Sequence, residues 1–582
     1  MRNTSARLAL TCALLVALAI PARADAPASA FRKLSGEFLD HWLSRHPQSA
    51  TRLGVHLYDD RLIPITPDGV AEDAAWLRGF RERLAAVPRE ALDFDRALER
   101  DVLAARVERE LLDLEVVRPW ERNPNVYLDL IAGSVQSLLQ RDFASSCSRV
   151  RSATRRLRLV PEVLRAAKLN LRHPPRLFTE VAISQAAGVL QFYRVGIPEL
   201  TAGCRDAPAQ ADLAEADTNA VQAVESFLVF LREDLLQRSD GDFALGRDTY
   251  QKKLACEEME TTPVESLLAR GERELERTRA RMATLAERIA PGQGVAAALD
   301  SLERDHPEPD HLVGAVRQQL EGVRAFVRAH DLVTVPAHED LVVRETPPFR
   351  RSLSFASMDA PGVWERVAHR AFYNVTPAEP TWSTRQQRDH LAFFNRYASQ
   401  IVTIHEALPG HYYQFLASRG LRSRVRQAFP CGTATEGWAH YCEQMAIEQG
   451  YGDGDPRYEL AQLSGALQRL GRLVVGISLH TAGMTLADAE RVFEERCYMA
   501  PINAEREARR GALDPTYLVY TLGKWRILEL REDVRARLGD RFRLRAFNDA
   551  LLAQGGSPAP VARAGVLRML HAEGAAAAGP SR

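Results

Sequence analysis

The chain has 582 residues, is 46% hydrophobic and 26% charged, and carries 76 basic side chains against 76 acidic ones. This is an ordinary globular composition, and the length allows three or four domains or one large helical body. A balanced charge argues against a polyanion-binding protein, so no nucleic-acid partner is expected.

Residues 1–24 read as a secretory signal. Arg2 and Arg7 precede the apolar run Leu8 to Ile20, and Pro21-Ala22-Arg23-Ala24 supplies an Ala-x-Ala cleavage site. The run is too short to span a bilayer, and no later run reaches about 20 apolar residues. The expectation is an exported chain, periplasmic or secreted after cleavage near Ala24, with no stable membrane insertion. Cys12 lies early in the apolar run, which argues against lipoprotein anchoring. Loss of Arg2, Arg7 and Arg23 leaves the mature chain near −3. Six cysteines remain (Cys147, Cys204, Cys256, Cys431, Cys442 and Cys497), without CxxC zinc-ribbon spacing. Export permits disulfides among them, but sequence does not fix the pairing.

Residues 25–330 form a helical N-terminal region, with apolar residues at three- and four-residue steps, as in Asp95 to Leu114 and Ala211 to Gln237. Thr262-Pro263-Val264-Glu265 reads as a helix start with Thr262 as N-cap and Glu265 closing a capping box. The helix around Arg149 to Arg172 is basic, and without interleaved aromatics it reads as a solvated face rather than a nucleic-acid surface. The texture changes at Asp331. Val333-Thr334-Val335-Pro336, Leu341-Val342-Val343-Arg344 and Phe372-Tyr373-Asn374-Val375 look like short strands between Pro-rich turns. They predict a small sheet that could offer an extended peptide an edge. Residues 331–572 make the catalytic region, and the Ala-Gly-rich stretch 573–582 reads as a disordered tail.

The strongest signal is Ile401-Val402-Thr403-Ile404-His405-Glu406-Ala407-Leu408-Pro409-Gly410-His411. His-Glu-x-x-His on a helix is a zinc-hydrolase signature, with two imidazole ligands on one face and a glutamate beside them. Here the second His arrives two residues late. In an unbroken helix His405 and His411 would sit about 240° apart, so Pro409-Gly410 must re-wind or kink the backbone if both are to reach one metal. His405 and Glu406 lie inside an apolar helix, where a carboxylate is costly without a metal or another partner. Glu436, in Glu436-Gly437-Trp438-Ala439-His440-Tyr441, has two readings. It completes a two-His-one-Glu zinc site, or it caps its own helix as the last residue of Thr433-Ala434-Thr435-Glu436.

These residues resemble the bacterial family called domain of unknown function 885, regarded as gluzincin-type zinc metallopeptidases. The resemblance rests on His405-Glu406-Ala407-Leu408-Pro409-Gly410-His411 with Glu436-Gly437-Trp438-Ala439. It extends over Gly246-Arg247-Asp248, Phe372 to Pro377, Arg472 to Val475, His480 and Asp514 to Lys524. It implies a mainly α, multi-helix metallopeptidase body with a small sheet near the active-site helix. It also implies one Zn²⁺ per chain on His405, His411 and Glu436, with Glu406 as general base. The dipeptidyl peptidase III family also lengthens its His-Glu motif. Gly476 stands where many relatives have Asp, and His440 is not counted as a ligand.

The expected activity is hydrolysis of short or unfolded peptides. Tyr520, or else His480, is the candidate oxyanion donor, and Arg472 and Lys524 are candidates to hold a peptide carboxylate. The rival readings are an inactive peptide-binding or scaffold protein and a zinc amidase acting on cell-wall fragments. Sequence leaves the oligomeric state open.

Overall fold

The computed structural model describes residues 26–347, 351 and 355–577, with side chains to residue 571. The segment read as a secretory signal lies outside them. The fold is mainly α, with one three-stranded sheet among the described residues.

Helices begin at Ala26 and, apart from the segment that carries the sheet, follow one another to Ala577. The periodic stretches become Phe94–Leu112 and Ala207–Glu233, each within a few residues of its expected bounds. The basic helix is Ser146–Asn170. It is not a solvated face throughout, because Arg156 is fully buried and donates to Ser134 O at 2.6 Å and Thr51 Oγ1 at 2.7 Å. Cys147 at its start is disulfide-bonded to Cys204, while Cys256, Cys431, Cys442 and Cys497 are free.

The expected cap at Thr262 does not form. Val264–Ile289 has Pro263 at its N-cap position with no side-chain cap. Gln251 Oε1 instead accepts from Val264 N at 3.1 Å, and Thr262 Oγ1 accepts from Arg526. Tertiary partners outbid the local box. The same helix is set against Pro456–Thr481, where a Cβ on Gly271 would stand 2.4 Å from Leu473 Cδ2. The largest core accordingly begins at Tyr250 and runs to Leu570, so the long helix packs with the region that carries the motif.

Two smaller cores lie toward the N-terminus. One of them draws in Val425, Ala428, Phe429 and Val561, which ties the first helices to the C-terminal half.

The sheet has the order β1-β3-β2, with β1 Leu341–Glu345, β2 Ala356–Asp359 and β3 Ala371–Val375. β1 runs parallel to β3 and β2 antiparallel to it. Val333 to Pro336 is not a strand. Thr334 gives both its amide and its hydroxyl to Asp549, at 2.8 and 2.5 Å, so β-branched propensity yields to an anchor on a helix. β2 was not anticipated, since Ala356-Ser357-Met358-Asp359 has little strand propensity and is extended by pairing with β3. The last helix, Ala559–Ala577, runs into the stretch expected to be disordered, in keeping with the helix propensity of alanine.

Candidate metal centre

Five helices build the site: α1 Arg396–Glu406, α2 His411–Arg419, α3 Gly432–Glu448, α4 Pro456–Thr481 and α5 Val519–Leu538. α1 opens where Asn395 Oδ1 accepts from the amides of Tyr397 and Ala398, at 3.1 and 3.0 Å. It closes at Glu406. The motif is therefore not one re-wound helix but two helices separated by Ala407-Leu408-Pro409-Gly410. Gly410 N donates back to Ile404 O at 3.1 Å. A Cβ on Gly410 would lie 1.9 Å from His405 O, so only glycine passes this turn. The indole N–H of Trp438 on α3 donates to Pro409 O and Gly410 O, at 2.9 and 3.2 Å, which fixes the break and brings α3 alongside it.

His405 ends up on α1, His411 at the first turn of α2, and Glu436 in the second turn of α3. One ligand atom from each lies within 4.8 Å of the others. Glu436 Oε2 is 3.6 Å from His405 Nε2 and 3.5 Å from His411 Nε2, and the two imidazole rings stand nearly perpendicular. Glu436 does not cap its helix. The N-cap of α3 is Cys431, and its first amides are served by Glu258, which accepts from Gly432 N at 3.1 Å, Thr433 N at 2.8 Å and Thr433 Oγ1 at 2.6 Å. A carboxylate far away in sequence does the capping and leaves Glu436 to the cluster. α3 and α5 touch at Gly437 and Gly523, where either added Cβ would clash with backbone.

Behind His405 lies a second buried carboxylate. Glu443 is 1% exposed; its Oε1 accepts from His405 Nδ1 at 2.7 Å and pairs with Arg469 Nη2 at 3.1 Å, and its Oε2 lies 3.3 Å from His440 Nδ1. Burial alone would raise the Glu443 carboxyl, but Arg469, His440 and His405 hold it well below the usual range. Burial likewise opposes a charged His405, yet Glu436 and Glu443 outweigh it and raise the imidazole to about 9. Glu436, despite burial, is held well below its ordinary value by the two histidines. A signal was available in the sequence: Glu443 lies seven residues, two helical turns, beyond Glu436 and on the same face.

Glu406, next to His405 at the end of α1, accepts from Met358 N of β2 at 2.8 Å. The amide of an edge strand thus meets the carboxylate nominated as base. Tyr520 lies on α5 beside the cluster. Arg469, which contacts His405 Nδ1 at 3.4 Å, also sits over the Tyr520 ring at 5.5 Å. Burial and the charge of Glu436 raise the Tyr520 phenol.

The remaining candidates do not face the cluster directly. His480 is buried at the far end of α4; its Nε2 pairs with Gly511 O at 2.9 Å and its ring lies on Tyr250, which removes it as an oxyanion donor. Arg472 is occupied by Glu507 through two 2.7 Å hydrogen bonds, so it is a structural ion pair rather than a free carboxylate receptor. Lys524 is buried on α5, and burial lowers its ammonium to about 8 against the pull of Glu443. It belongs to the charge network behind the histidines.

A putative lipoprotein of unknown function from Shewanella oneidensis matches with a TM-score of 0.79 and 26% identity, over 93% of this chain and 99% of that one. A putative lipoprotein from Colwellia psychrerythraea matches with a TM-score of 0.77 and 19% identity over the same shares, and so shows the fold. No curated protein matches the chain. The family described as bacterial protein of unknown function (DUF885) matches residues 47–566, and the chain belongs to that family.

Proposed function

We propose that the chain is an exported zinc-dependent peptidase that hydrolyses short or unfolded peptides, with His405, His411 and Glu436 holding the ion. One observation carries the reading: two imidazoles and a carboxylate, from three different helices, converge within 4.8 Å.

The donor set fits a cation. With Nδ1 donating to Glu443, a neutral His405 turns the lone pair of Nε2 toward the Glu436 oxygen, and His411 approaches the same oxygen from the other side. Lone pairs facing one another across about 3.5 Å repel unless a proton or a metal stands among them. Ligands on a tetrahedral zinc at ~2.0–2.2 Å stand roughly 3.4 Å apart, close to two of the three separations here. His411 Nδ1 is buried without a partner, so its second nitrogen is free of the kind of clamp that Glu443 puts on His405.

A divalent cation bound there supplies Lewis-acid polarisation of a scissile carbonyl and acidifies water. The chain's own residues supply the rest. Glu406 takes a proton and passes it to the leaving amine. Its link to Met358 N sets it beside the outer edge of β2, along which an extended peptide can lie. Tyr520, on α5 beside the cluster, is placed to offer its hydroxyl proton to a developing oxyanion. Glu443 keeps His405 in the tautomer that points Nε2 into the cluster.

Export rests on the charged and apolar leader, on the Cys147–Cys204 disulfide, which suits an oxidising compartment, and on the lipoprotein titles of the two similar structures. No helix among the described residues is long and apolar enough to cross a membrane.

Glu406→Gln is the test. The variant should keep zinc and lose at least ~100-fold in turnover of a mixed peptide library read by mass spectrometry. Turnover equal to the parent protein would remove Glu406 from the base role, and a zinc-loaded parent that cleaves nothing would overturn the peptidase reading.

A further inference from the structure

Three guanidiniums surround the Tyr520 side chain. Arg469 and Arg472 lie over its ring at 5.5 and 5.1 Å, and Arg510 Nη2 is 3.5 Å from its hydroxyl. Two of the three are matched by carboxylates, Arg472 by Glu507 and Arg469 by Glu443. Arg510 is not. It is exposed and forms no ion pair among the described residues. The acid one turn before it, Glu507, is committed to Arg472 and Gln468, and Asp514, one turn after, spends Oδ1 on the amide and hydroxyl of Thr516. Of the three guanidiniums, Arg510 is the one with no carboxylate paired to it.

Its place in the molecule gives that guanidinium a use. Arg469 contacts both the His405 ring and the Tyr520 ring, so Tyr520 stands one guanidinium away from a candidate metal ligand, and Arg510 stands at its hydroxyl. A peptide bond held at the cluster would place the adjoining part of the substrate near Arg510. The backbone of an interior stretch of peptide carries no charge to offer there. A chain end does.

We infer that Arg510 receives the free C-terminal carboxylate of the substrate, so that the enzyme trims peptides from or near that end. The inference rests on the peptidase reading above. Guanidinium matches carboxylate by paired, charge-assisted hydrogen bonds, and Arg510 gives only one N–H to Tyr520. Hydrolysis consumes one water per bond. Its oxygen stays on the new C-terminal carboxylate of the shortened peptide, and the released fragment leaves with a protonated amine. The shortened peptide therefore presents a fresh C-terminal carboxylate for another round.

The experiment compares two peptides of one sequence, one ending in a free acid and the other in an amide. Zinc-loaded protein should favour the acid by about tenfold or more in kcat/KM, and added salt should shrink the preference. Arg510→Gln, a change at an exposed position, should keep fold and zinc, raise KM for the acid alone and bring the two peptides to parity. Equal use of acid and amide by the parent protein would overturn the inference, as would an Arg510→Gln variant that slows both alike. A second arm titrates both peptides into zinc-loaded Glu406→Gln protein by calorimetry. Tighter binding of the acid that disappears in Glu406→Gln/Arg510→Gln supports the carboxylate site even if neither peptide is cleaved, in which case the peptidase reading alone falls. Equal binding of acid and amide sinks the inference whatever the turnover.

Discussion

Two histidines in this protein sit between two carboxylates, and they do different things. His56 has Asp59 Oδ2 at 2.9 Å from Nδ1 and Glu365 Oε2 at 3.0 Å from Nε2, with its ring stacked on Phe143. Both carboxylates are otherwise engaged, Asp59 by Thr51 and Glu365 by the amides of Arg366 and Val367. Every nitrogen is at hydrogen-bond distance, so the cluster is satisfied by one proton and joins the first helices to the loop before β3. His405 has Glu443 at 2.7 Å on one side, but on the other Glu436 stands 3.6 Å away and is shared with His411. That gap is too long for a hydrogen bond and too well surrounded by lone pairs to be left alone. Identical residue types make a closed hydrogen-bonded latch in one place and an open cluster in the other. The difference is whether the pairs close on each other or on a common centre.

The comparison breaks most sharply at Glu436. Glu436→Ala should take zinc from about one per chain to almost none, by atomic absorption, while leaving α3 capped by Glu258 and the fold intact by circular dichroism. Zinc retained in full would return Glu436 to a merely helical role. Glu443→Gln comes next. It keeps the volume but withdraws the charge that orients His405, so zinc affinity should fall about 10- to 100-fold in a competition titration with a chelator. An unchanged affinity would show that Glu443 only balances Arg469.

His56→Gln should be the smallest effect and should leave zinc binding untouched. Burial disfavours the His56 cation, but Asp59 and Glu365 prevail and raise its pKa above the ordinary value. A raised folded-state pKa stabilises fully below the unfolded value near ~6.5, and the stabilisation is lost as pH rises through the folded value. The melting-temperature gap between parent and variant should therefore be widest near about pH 5.5 and close at alkaline pH, corresponding to at most ~1 kcal/mol for a partly exposed pair. A gap that widens as pH rises would refute the latch.

Much of the site was legible because its signals are local. His405, Glu406 and His411 are ligand-type residues at an unusual spacing, and the intervening Pro409-Gly410 announces a backbone break. Reading that break as a re-wound helix fell short, because nothing within the motif reveals that Trp438 holds its carbonyls from another helix. Thr433 to Glu436 matched a capping box in letters alone; the competitor was Glu258, 174 residues before Gly432. Arg472 carried the right chemistry for a substrate carboxylate, and only its packing against Glu507 shows that the charge is already used. Arg510 attracted no attention in the sequence, and stands out because its neighbours are taken.

Sequence alone determined the helical body, the strands at Leu341 and Phe372, and which ligand-type residues form the cluster, since periodicity, propensity and residue identity are properties of short stretches. Tertiary structure decided which His has a buried carboxylate behind it, which glutamate caps and which faces the cluster, that Ala356 to Asp359 is extended, and which guanidinium is left unpaired. Those outcomes depend on competition among groups brought together from opposite ends of the chain. The winner of such a competition is set by distance and desolvation in the packed interior, and neither quantity is written in the order of the residues.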